Sequence, residues 1–128
     1  PERWVFTLNG TDALNMAIKG VLADGDHVVT TDLEHNSVSR PLVALAEAGR
    51  IALTRVPADA GGTVQPDAVA AAVTPKTRLV AVTHGSNVLG TVQPVGEIAW
   101  AVREKADGVL VLVDAAQTAG VVPTDVQA

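Results

Sequence analysis

Five short apolar runs punctuate the chain: "WVFTL" (4–8), "DHVVTT" (26–31), "IALTRV" (51–56), "RLVAVT" (78–83) and "GVLVLVD" (108–114). They are rich in β-branched residues, which predicts buried strands. The segments between them change period. In "TDALNMAIKGVL", Leu14, Ala17, Ile18, Val21 and Leu22 fall on one helical face. "NSVSRPLVALAEAG" places Pro41 in an early turn of a second helix and Gly49 at its C-terminal stop. "QPDAVAAAV" predicts a shorter helix, and "VGEIAWAVREKADG" a longer one from Gly96 to a stop at Gly108. "ADAGGT" and "TPKT" read as turns.

Strands that alternate with helices predict an α/β fold, a mainly parallel sheet covered on both faces in three αβα layers. Ligands of such sheets bind at the carboxyl ends of the strands. The loops that leave those ends are therefore where chemistry is to be sought.

After the first run, "LNGTDAL" brings Gly10, Thr11 and Asp12 to a helix N-terminus, where free N–H groups favour an anion. Asn9 or Thr11 reads equally well there as a simple helix cap. After the second, His35 stands in a polar loop with Glu34, Asn36 and Ser37. It is either a solvated residue, with Ser37 capping the next helix, or an imidazole laid on a flat ligand. A metal site built on Asp32, Glu34 and His35 lacks a second histidine at ligand spacing, so no metal is expected. After the fourth, "THGSNVLGTVQPV" is a long loop carrying Asn87. Gly90 is followed directly by Thr91 and not by a lysine, which removes the phosphate-loop pattern of NTPases, and Ser86 has no G-x-S-x-G elbow. After the fifth come Asp114 and Gln117. A buried Asp114 needs a cationic partner or a change of charge, unless it simply caps a following helix. Together the loops offer an anion site, a flat polar ring, an amide and a carboxylate at one sheet edge, a set suited to a phosphorylated, cationic heteroaromatic cofactor.

Composition narrows the classes. The 128 residues are 48% hydrophobic, enough for one domain or part of one, and aromatic residues are scarce, so Ala, Val and Leu must fill the core. A net charge of −5 without a basic cluster argues against nucleic acid. No apolar run approaches the ~20 residues that cross a bilayer, so no membrane partner is expected. With no cysteine, these residues hold no disulfide and no thiol nucleophile. The expected setting is cytoplasmic.

The motifs "FTLNGTDALNMAIKGVL", "DLEHNSVSRPL", "VTHGSNVLGTVQPV" and "LVDAAQTAGVVPTDV" resemble, in order, those of the class V aminotransferases in their cysteine desulfurase-like branch. The resemblance implies the large domain of a fold-type-I enzyme and pyridoxal 5'-phosphate as cofactor. It implies that Thr11 and the adjacent backbone of Gly10 and Asp12 hold the phosphate, that His35 stacks on the ring, and that Gln117 bonds the ring hydroxyl oxygen. Asp114 would keep the ring nitrogen protonated, and Asn87 would bind the carboxylate of a small amino-acid substrate. His35 and Asp114 are then the catalytic candidates, and a homodimer is implied for the whole protein. An aminotransferase, a selenocysteine lyase or a racemase-like relative would fit the same residues. A catalytically silent α/β module that binds a phosphate ligand or a partner is the alternative of another class. A dinucleotide-binding domain lacks its G-x-G-x-x-G turn.

The family's Schiff-base lysine follows one strand and loop beyond the aspartate, and the contexts of Lys19, Lys76 and Lys105 do not match it. With "PERWVFTL" at one end and "PTDVQA" at the other, residues 1–128 are expected to be a fragment of the large domain, inactive alone. The resemblance also places the partner strands of "WVFTL" outside these residues. Such a piece is expected to expose a sheet edge and to be poorly stable or to associate.

Overall fold

A computed structural model describes residues 4–124. Among them, β1 (His27–Thr31), β2 (Ala52–Val56), β3 (Thr77–Thr83) and β4 (Leu110–Asp114) form one sheet, ordered β2-β1-β3-β4. Every pairing is parallel. The helices α1 (Gly10–Val21), α2 (Asn36–Glu47), α3 (Pro66–Ala72) and α4 (Val95–Lys105) cover its two faces. No helix among the described residues is long and apolar enough to cross a membrane.

The two faces follow from the period of the strands. Successive side chains point to opposite sides of a sheet. Val28 of β1 and Leu79 and Ala81 of β3 therefore pack with Leu14 and Ile18 of α1 and Val38 and Leu42 of α2. Val29, Val80 and Val82 point the other way, onto Val69 of α3 and Ile98 and Val102 of α4. Both central strands are buried on both faces, so their apolar runs are continuous rather than alternating.

The helix signals act locally as their chemistry requires. Asn9 caps α1, its Oδ1 accepting from Asp12 N at 2.9 Å. Gly49 takes the left-handed conformation (φ +70°) just beyond α2, and its N–H donates to Ala46 O. Pro41 lies deeper in α2 than an early turn, in the helix interior. Proline has no N–H for the Ser37 carbonyl four residues earlier. Asn15 of α1 supplies a substitute, its Nδ2 donating to Ser37 O at 3.4 Å.

One expected strand does not form. Residues 4–8 run outside the sheet, with Trp4 77% and Phe6 94% exposed. A strand needs a neighbour to satisfy its backbone groups, and neither sheet edge takes this segment as one.

Two strand orders meet between β1 and β3. From β1 the chain steps outward to β2, then returns across β1 to β3 on the other side. Such a reversal opens a crevice at the carboxyl ends of the two strands.

At the opposite end of the sheet His27 is buried between threonines. Its Nδ1 lies 2.7 Å from Thr77 Oγ1 and its Nε2 2.9 Å from Thr54 Oγ1. Burial lowers its pKa. The unfolded residue takes up a proton near about 6.5, so below that pH the unfolded state binds more protons and stability falls. Urea unfolding is expected to show this loss between pH 7.5 and pH 5.5, at about those values, and to show less of it for His27→Gln. An equal loss in both proteins would contradict the assignment.

Candidate active site

The carboxyl ends of β1, β3 and β4 and the first turn of α1 enclose a cavity of about 250 Å³. Its floor is buried: Asp114 closes β4, Thr83 closes β3, and Gly85, Ser37 and Leu14 fill the space between. Its rim is exposed and polar, carrying Gly10 and Thr11 from α1, His35 from the β1–α2 loop, Asn87 from the β3–α4 loop and Gln117 from the turn after β4. Loops 106 residues apart in sequence, from Thr11 to Gln117, are thereby neighbours around one space.

Parallel pairing sets the floor. Thr83 and Asp114 are partners in the β3–β4 ladder, and His84 N donates to Asp114 O at 2.9 Å. Asp114 is 8% exposed; its Oδ1 accepts from Ala116 N at 3.0 Å, an Asx turn rather than a helix cap, because turns and not a helix come next. Among the described residues the ion pairs are Arg50–Asp24 and Arg55–Asp32, neither of which reaches the cavity. A buried carboxylate without a protein cation is costly, and a cationic ligand would offset that cost.

His35 caps α2 itself. The helix starts at Asn36, so Ser37 already lies inside it and instead donates its N–H to His35 Nδ1 at 3.1 Å. An accepting Nδ1 leaves the ring proton on Nε2. Ser37 Oγ lies 2.9 Å from the same Nδ1 and 2.7 Å from Thr11 Oγ1. A chain of three side chains thus links the α1 N-terminus to the imidazole.

The first turn of α1 leaves the N–H groups of Gly10 and Thr11 without intrahelical acceptors, and the helix dipole is positive there. Asp12 stands apart. Its N–H is taken by Asn9, its Oδ2 accepts from Leu8 N at 3.2 Å, and it does not line the cavity. A second carboxylate facing an anion would repel it, and the cap turns this one away.

Glu34, Ser37, Thr83 and Gly85 were not among the expected site residues. Glu34 Oε1 accepts from Thr31 Oγ1 at 2.7 Å and from Thr83 N at 2.9 Å. Burial pushes its carboxyl up to about 7; the hydrogen bonds from Thr31 and Thr83 oppose the rise, and the charge of Asp114 adds to it. Gly85 is needed for space, since a Cβ there would meet Thr118 Cγ2 at 2.6 Å. Thr118 is held in turn, its Oγ1 2.8 Å from Nδ1 of the buried His84. A glycine in "THGSN" is a signal of close approach, but its partner 33 residues on has no local mark.

Comparison with known proteins places this geometry. The Aminotransferase class-V family model matches residues 1–128. A probable cysteine desulfurase from Methanothermobacter thermautotrophicus is 45% identical over 125 residues, 97% of this chain and 30% of that protein. Among solved structures, SspA in complex with cysteine superposes with a TM-score of 0.82 at 32% identity, over 89% of this chain and 33% of its own. A C-DES mutant with glycine covalently linked to its PLP cofactor gives 0.78 at 32% identity, over 91% and 32%. The chain thus spans about a third of the length of the proteins it matches.

The cavity floor generates two expected outcomes. Gly85→Ala is expected to destabilise the protein by about 1–3 kcal/mol, the usual cost of overpacking. Adding Thr118→Ser, which removes the methyl group and keeps the hydroxyl for His84, is expected to recover most of it; no recovery in thermal unfolding would refute the contact. Glu34 binds its proton more tightly folded, at about 7, than at its ordinary 4.5. Its favourable contribution is therefore complete below the lower value and lost as pH rises through the upper one. Between about pH 5 and about pH 8, Glu34→Gln is expected to gain stability relative to the wild type. A constant difference between the two proteins would contradict the raised value.

Proposed function

We infer the function from one premise: this chain belongs to the class-V aminotransferase family. The whole protein is an enzyme that uses pyridoxal 5'-phosphate on a small amino acid, in the manner of a cysteine desulfurase, and works as a cytoplasmic homodimer. The observation that carries this reading is Asp114, a buried carboxylate that no cation pairs among the described residues, at the floor of a cavity whose rim holds a helix N-terminus.

The residues present fit that cofactor by chemistry. The Thr11 hydroxyl and the N–H groups of Gly10 and Thr11 suit a phosphate. Asp114 would offer its carboxylate to a ring nitrogen and hold a proton there, offsetting the cost of its burial. Gln117 would donate to a ring hydroxyl oxygen. His35, its Nδ1 engaged by the cap bond from Ser37 N, would pack on the ring and exclude water from it. Asn87 would donate to the substrate carboxylate. Bound in this way, the cofactor supplies an electron sink for charge at the substrate α-carbon.

No lysine among the described residues lines the cavity. Lys19, Lys76 and Lys105 lie elsewhere, and the covalent anchor is assigned to the remaining length of the protein. The 128 residues alone are accordingly not a catalyst.

The test is titration of the full-length apoprotein with pyridoxal phosphate, followed by absorbance. Wild-type protein is expected to take it up, with affinity reduced by about tenfold or more in Thr11→Ala and in Asp114→Ala, the scale of a lost charged hydrogen bond. Release of sulfide from cysteine then distinguishes a desulfurase from its relatives. A full-length protein that takes up no cofactor sinks the reading and leaves the silent phosphate-binding module in its place.

A further inference from the structure

Glu34 does not line the cavity, yet it joins two of its walls. Thr31 is the last residue of β1 and Thr83 the last of β3, and both donate to the same oxygen, Glu34 Oε1. The next residue in the chain is His35.

The need for this carboxyl follows from the sheet. Along a parallel strand successive N–H groups point to opposite neighbours. His84 N donates toward β4, to Asp114 O. The N–H of Thr83, one residue earlier, therefore points to the β1 side. The β1–β3 ladder stops at the Thr30–Ala81 pair, so Thr83 lies two residues beyond its last rung. Glu34 supplies the missing acceptor from the loop that leaves β1. The arrangement carries a cost: Glu34 Oε2 is buried and has no hydrogen-bond partner among the described residues. A shorter side chain such as alanine would escape that cost and leave the Thr83 N–H orphaned.

We propose that Glu34 is a positioning residue of the cofactor cavity, a clamp that fixes the loop bearing His35 to the strand end beside Asp114. The proposal rests on the cofactor reading above. His35 reaches the cavity from a loop whose start is held to β2, by Asp32 N donating to Val56 O and by the Arg55–Asp32 ion pair, and whose end is the α2 cap. Glu34 ties that loop to β3, one residue before His35. Loss of the clamp frees the ring to shift against the cofactor while the sheet remains.

The test uses full-length protein with Glu34→Ala and Glu34→Gln. Glutamine keeps a side-chain oxygen that accepts the same two hydrogen bonds. Amide hydrogen exchange in the apoprotein is expected to speed up by about tenfold or more at Thr83 and across residues 32–37 in Glu34→Ala. In Glu34→Gln it is expected to stay within about threefold of the wild type. The visible circular dichroism of bound pyridoxal phosphate, which reports ring placement, is expected to change in Glu34→Ala and to be recovered in Glu34→Gln, with affinity following the same order. If Glu34→Ala does not fold, Thr31→Val, which removes one of the two bonds to Glu34 and also the bond from Leu33 N to Thr31 Oγ1, must show the dichroism change and the faster exchange at Thr83 in smaller degree; a Thr31→Val protein identical to the wild type in both overturns the clamp. Wild-type and Glu34→Ala proteins alike in exchange, dichroism and affinity overturn the role of Glu34 alone. A wild-type protein that takes up no cofactor overturns the reading of the cavity and, with it, the role toward the ring.

Discussion

Parallel pairing obliges β1, β3 and β4 to end at the same edge of the sheet, and each polar loop after them must begin there. The site depends on that constraint more than on any single contact. The Thr83–Asp114 pairing sets the depth of the carboxylate, and the early end of β1 leaves room for the loop of His35. An antiparallel sheet would have sent half of these loops to the other end. The valine-rich layers on either side hold the edge rigid, because the central strands are buried on both faces.

The floor of the cavity concentrates unfavourable electrostatics. Asp114 is buried without a cation among the described residues, and Glu34, whose carboxyl its charge helps to raise, lies close behind it. Two carboxyls in one low-dielectric region do not both ionise freely. Burial pushes the Glu34 carboxyl up to about 7, with the charge of Asp114 adding to the rise, and Glu34 serves the backbone of Thr83.

The layers and elements were legible because their signals are local. The spacing of Leu14 and Ile18, the stop at Gly49 and the apolar run of β3 each required only neighbouring residues. The loop positions of Thr11, His35, Asn87, Asp114 and Gln117 were legible for a related reason, since alternating strands and helices fix which loops share an edge. Features that depended on distant partners were not. "WVFTL" has the composition of a strand, but a strand is defined by its neighbour. Glu34 meets Thr83 49 residues away, and Gly85 meets Thr118 across the cavity floor. The cap on α2 fell to His35 rather than Ser37 by a shift of two residues in the helix start, a boundary that capping preferences do not resolve.

If Asp114 compensates a cationic ring nitrogen, the NMR shift of that nitrogen in isotopically labelled pyridoxal phosphate bound to the full-length protein reports it. A protonated ring nitrogen is expected in the wild type, unchanged as the solution is taken from mildly acidic to mildly alkaline pH, with loss of that proton in Asp114→Asn. A ring nitrogen that titrates with the solvent in the wild type, or that keeps the same shift when Asp114 is replaced, would contradict it.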